Sequence, residues 1–132
     1  DMMAQTQYAV VTSIESIIPA GLGRSRMIAN KEDLNTANFT TKRTDGTKSD
    51  MGTVKREDIK IDNFEETKLL NFFSISGINF QNIASNDAMI SAKLNEMAAA
   101  GWELAFVTAG VESDSGTTDG EGIFVTRYIF KR

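Results

Sequence analysis

The chain has 132 residues, 41% of them hydrophobic and 24% charged, a one-domain length with ordinary globular composition. It holds no cysteine and no histidine, which excludes disulfides, zinc, copper and haem centres of the usual kinds, and Ser-His-Asp or Cys-His catalysis. The net charge is −4, the basic residues are scattered, and no apolar run approaches the roughly 20 residues of a membrane span, so neither nucleic acid nor a bilayer is an expected partner.

Gln7 to Ile18 predicts a strand. Tyr8, Val10, Thr12 and Ile14 alternate with Ala9, Val11, Ser13 and Glu15, and β-branched residues dominate. Pro19-Ala20-Gly21-Leu22-Gly23 breaks it, and Arg24 to Ala29 returns as the second strand of a long hairpin. A polar insertion of mixed charge follows, about residues 31–58, with turn sequences at Thr44-Asp45-Gly46-Thr47 and Asp50-Met51-Gly52-Thr53. It reads as a long loop within a single domain spanning 1–132, with short strands expected near Phe39 and Val54.

Ile59 to Ile83 is apolar and carries two short β-like runs separated by Gly77. Asn-Phe recurs at Asn63, Asn71 and Asn79, but three copies are too short for a repeat architecture. Residues 86–100 form the clearest helix, capped by Ser85 or Asn86, with Ile90, Leu94 and Met97 as one apolar stripe. Gly101 is placed to end it in the left-handed conformation. Trp102, Leu104 and Phe106 then alternate with Glu103, Ala105 and Val107 in a strand that pairs with Ile123 to Lys131 across an acidic, glycine-rich loop. The expected core sets Ile90, Leu94 and Met97 against Trp102, Leu104 and Phe106.

The run Leu94-Asn95-Glu96-Met97-Ala98-Ala99-Ala100-Gly101-Trp102-Glu103-Leu104 resembles the signature of a bacterial family, domain of unknown function 4177. Tyr128-Ile129-Phe130-Lys131-Arg132 resembles that family's closing strand, and Tyr8-Ala9-Val10-Val11 its first. The resemblance covers about a third of the chain and implies a helix-and-hairpin fold without an assigned activity.

Two candidate sites stand out. Arg24 and Arg26 follow a glycine pair and could clamp an anion such as phosphate or carboxylate, though neither a dinucleotide fingerprint nor a P-loop is present. Asp114, Asp119 and Glu121, with Glu112, could bind Ca²⁺, but their spacing fails the EF-hand template. The commoner reading of each is a solvated hairpin loop. No catalytic residue and no cofactor is expected; carboxylate-only hydrolysis stays open in principle.

The fold class expected is α+β: an antiparallel β-sheet built from hairpins, with one main helix (about 86–100) on one face. The preferred function is non-catalytic, a binding or assembly module that forms a homo-oligomer. The alternatives are an anion or small-ligand binder and a carboxylate-dependent hydrolase. The expectation for assembly rests on uncovered apolar strand surface and on the first and last strands lying at sheet edges, where Arg127, Lys131 and Arg132 could block pairing. The chain opens Asp1-Met2-Met3 rather than on an initiator methionine, which a removed export signal would explain, and an exported protein is the mild expectation.

Overall fold

In the computed structural model, residues 5–18, 24–112 and 122–132 are described. Among these described residues, seven strands and two α-helices follow in chain order: β1 Tyr8–Ser16, β2 Arg26–Asn30, α1 Arg56–Ile59, β3 Phe64–Lys68, β4 Phe73–Ser74, β5 Gly77–Ile78, α2 Phe80–Ala99, β6 Glu103–Glu112 and β7 Ile123–Lys131. The fold is α+β with a five-stranded sheet in the order β3-β2-β1-β7-β6 and a separate two-stranded sheet, β4-β5. Pairings of β1 with β2, β1 with β7 and β6 with β7 are all antiparallel.

The sheet order corrects one expectation. The first and last strands, β1 and β7, lie side by side inside the sheet, and the edges are β3 and β6. The ends of the chain are joined along the full length of β1, from Tyr8 opposite Lys131 to Ser16 opposite Ile123. Arg127 and Lys131 therefore guard no edge.

The chain divides into two compact units, residues 1–29 with 66–132 and residues 30–65. The second unit has no buried residue. Side chains holding backbone groups order it instead. Glu32 Oε2 accepts from the Asp62 and Asn63 amides at 2.7 and 2.6 Å and from Asn63 Nδ2 at 2.9 Å. These donors hold the Glu32 carboxyl below its ordinary range. Asp45 accepts from the Thr47 and Lys48 amides in the turn foreseen there. The short strands expected near Phe39 and Val54 are 3-10 turns, Thr36–Phe39 and Met51–Thr53. Asn35 Oδ1 accepting from the Ala37 amide starts the first as a helical turn rather than a strand.

α2 begins six residues before the expected start, and its cap is Asn79, whose Oδ1 accepts from the Asn82 amide at 3.0 Å. Ser85 and Asn86 lie inside it. Its C-terminal end is as foreseen. Gly101 has φ +90°, its amide donates to Ala98 O, and the Trp102 amide donates to Met97 O, the paired bonds of a Schellman closure. A Cβ at Gly101 would meet nothing within 4 Å, so the cost of a side chain there is backbone strain alone. Gly101→Ala is expected to lower the unfolding free energy by about 1 kcal/mol, read from a urea midpoint at unchanged slope. No change would mean that the corner can close without a left-handed residue.

The core consists of Val11, Met27, Leu69 and Phe130, with Ile90, Leu94 and Met97 of α2 and Trp102 packed around it. The helix stripe is thus phased as expected. Leu104 and Phe106 are not part of that core: they are 41% and 56% exposed. Leu104 stays on the helix-bearing face but on the edge strand; for Phe106 the register explains the departure. Leu104 pairs with Phe130 and Phe106 with Ile129, leaving Ala105 as an extra residue. This β-bulge breaks the alternation and turns Phe106 to the face opposite Leu104.

Candidate functional site

The register fixes which residues share each face of the sheet. Ala9, Val11, Met27, Ala29, Tyr128 and Phe130 line the face that carries α2. Val10, Ile14, Ile28, Phe106, Val125 and Ile129 line the opposite face, with Thr12, Thr108 and Arg127 among them. Several of these side chains stay open to solvent, Phe106 by more than half, as does Tyr8 at the start of β1.

β6 is the most exposed element of the sheet. All ten of its residues are exposed, and among the described residues it hydrogen-bonds to β7 on one side only. Leu104, Val107 and Val111 extend from the helix-bearing face and Phe106 from the other. From Leu104 to Val111 the strand holds no charge and no proline. The other edge, β3, is half as long and reads Phe64-Glu65-Glu66-Thr67-Lys68. Short length and charge protect β3 from adding strands; β6 has neither device along its centre.

A buried polar seam runs beneath α2. Asn86 is 1% exposed; its Oδ1 accepts from the Leu70 amide at 2.8 Å, and its Nδ2 donates to Leu70 O at 2.8 Å and to Glu15 Oε2 at 3.0 Å. Ser25 Oγ accepts from the Ser16 amide and donates to Asn71 Oδ1. Ser13 is fully buried, with its hydroxyl towards Tyr128 on the neighbouring strand. Burial pushes the Glu15 carboxyl above its ordinary range; the Asn86 amide works against this and the Asp87 charge with it. Tyr128 is likewise raised, chiefly by burial.

Because the folded state favours protonated Glu15, its contribution to stability is complete below pH 4.5 and is lost as pH rises through the folded-state value. Glu15→Gln keeps an acceptor for Asn86 without the charge. It is expected to raise stability near pH 7 by on the order of 1 kcal/mol and to leave it unchanged below pH 4.5. Urea titrations at the two pH values check this; equal effects at both would sink it.

The sequence-derived sites fare differently. Arg24 lies just before β2 and Arg26 opens it. The Arg26 guanidinium forms an ion pair with Glu66, beside a shallow depression lined by Ser25, Arg26, Glu66 and Lys68. A carboxylate of the chain itself thus occupies the place foreseen for an anion at Arg26. Asp114, Asp119 and Glu121 lie outside the described residues. Glu112 ends β6 opposite Ile123. Among the described residues, no three His, Cys, Asp or Glu side chains converge to hold a metal ion, and no helix is long and apolar enough to cross a membrane.

Arg132 was foreseen as a blocking charge but does something else. Its guanidinium stacks 4.3 Å from the Trp102 ring centre, and Nη1 donates to Ala100 O at 3.0 Å. It caps the C-terminal end of α2, where a cation is favoured. No protein-family model matches the chain, and it matches neither a curated protein nor a solved structure.

Proposed function

We propose that this protein is a non-catalytic assembly module that associates with copies of itself through the β6 side of its sheet. The observation that carries this reading is the exposure of β6 along its whole length, uncharged from Leu104 to Val111, while the opposite edge is short and charged. Unpaired strand N–H and C=O groups beside apolar side chains form a template for another strand. The partly exposed apolar face continues from that edge through Phe106 and Ile129. The helix, its Gly101 closure and the Trp102–Arg132 stack support a kinship with the domain of unknown function 4177 family within the same proposal.

Sedimentation of the purified protein at micromolar concentration tests the reading. A stable oligomer is expected, and Val107→Lys should weaken it by at least about tenfold, because an edge lysine opposes strand addition. The circular dichroism spectrum should be unchanged, since Val107 is exposed. A wild-type monomer would overturn the proposal.

A further inference from the structure

We infer that the partner of β6 is β6 of a second copy, paired antiparallel across a two-fold axis at Ala109, so that two five-stranded sheets join into one of ten strands. This rests on the assembly reading above and states its geometry.

Three observations argue for it. First, the edge offers a strand rather than a pocket, so its complement is an extended segment that supplies backbone groups over a similar length. An uncharged run rich in β-branched residues pairs best with another such run, and this chain exposes one, at this edge.

Second, the symmetry is compatible with the charges. A two-fold axis perpendicular to the sheet keeps each residue type on its own face, so residues directly opposite must come from the same face. After the bulge at Ala105 the ladder to β7 is regular from Phe106 to Glu112, and Ala109 is the midpoint of that run. An axis there sets Val107 opposite Val111 of the second copy, Thr108 opposite Gly110, and Phe106 opposite Glu112. Glu112 never meets a like charge, and two small alanines meet at the axis. The pairing thus uses every residue of the regular run.

Third, the competing edge is unsuited to this. β3 would bring Glu65 and Glu66 into the pairing, and Glu66 is already held by Arg26. Strand addition at β3 would disturb that ion pair and set carboxylates close together, whereas addition at β6 disturbs nothing along the uncharged run.

The chain contains no cysteine, so single cysteines report position without background. Ala109→Cys would place two thiols on the axis, within the Cα separation a disulfide needs. Each residue away from the axis adds about 6.6 Å between the paired thiols, so Phe106→Cys would be about 20 Å from its copy and Leu104→Cys further still. Under mild oxidation, Ala109→Cys is expected to form a disulfide dimer at least about tenfold faster than Leu104→Cys or Lys68→Cys, the last being the β3 control. Sedimentation of each variant under reducing conditions is measured alongside. An oligomer in which Ala109→Cys shows no such preference overturns this inference and leaves self-association standing. A monomer under all conditions overturns both. Preferential cross-linking at Ala109 in a protein that sediments as a dimer bears the inference out.

Discussion

Phe130→Ala is expected to lower the unfolding free energy by about 3–5 kcal/mol, the largest effect of any single truncation of a core side chain here. Phe130 is 1% exposed and sits on β7, the strand that joins β1 to β6. Its ring packs among Val11, Met27 and Leu69, beneath the α2 stripe. It pairs with Ala9 on one side and with Leu104 on the other, so neighbours on both flanking strands lose contact if the ring is removed. Small residues at the Ala9 and Ala29 positions leave little bulk to collapse into the space, and incomplete collapse adds a cavity cost to the lost transfer energy. Leu94→Ala should cost less, because Leu94 is only partly buried. Urea unfolding of both variants gives the comparison. A loss under about 1 kcal/mol for Phe130→Ala would mean that the sheet and helix do not close around it.

Much of this architecture was legible because its signals are local. β-branched alternation marked β1, and the Ala-Ala-Ala-Gly-Trp sequence marked the corner after α2, where only glycine accepts the conformation without strain. The stripe Ile90, Leu94 and Met97 gave the correct helix face. The start of α2 was misplaced because its sequence from Phe80 to Ser85 carries aromatic and β-branched residues that read as strand. The Asn79 side chain decides the matter through a single hydrogen bond to the Asn82 amide. The three Asn-Phe pairs have separate structural uses. Asn63 binds Glu32, Asn71 binds Ser25 and the Ile18 carbonyl, and Asn79 caps the helix.

The assembly surface was only partly legible. Uncovered apolar strands could be foreseen, but sheet order depends on pairings between distant segments, which no local pattern encodes. Expecting β1 and β7 at the edges missed that they pair with each other. The bulge at Ala105 was also silent, since it involves no glycine or proline, and it alone moves Phe106 to the open face. Arg26 pairs with a carboxylate forty residues away, Glu66, a contact between distant segments that no local pattern encodes.

Asn86→Leu is expected to cost about 2–5 kcal/mol even though it places an apolar side chain at a buried position of a helix. Asn86 acts as a piece of strand projected from α2. Its amide both donates to and accepts from the backbone of Leu70, the next residue after the core residue Leu69. Leucine leaves the Leu70 N–H and C=O without that partner and removes the donor to Glu15. Stripping partners from the part-buried Leu70 groups and from the buried Glu15 carboxyl costs about 1–3 kcal/mol each, more than the added apolar burial returns. Asn86→Asp separates the polar from the steric part. It preserves shape and the acceptor for the Leu70 amide, but it loses the donor to Leu70 O and sets a second carboxylate against Glu15. Its cost should therefore be greater at pH 7 than at pH 4, where protonation relieves the repulsion and can restore a donor. Hydrogen exchange at the Leu70 amide supplies a local readout beside the urea midpoint: faster exchange is expected in Asn86→Leu, and slower exchange in Asn86→Asp than in Asn86→Leu. Protection of that amide undiminished in Asn86→Leu, with a stability loss below about 1 kcal/mol, would show that the seam is not what fastens α2 to the chain ahead of it.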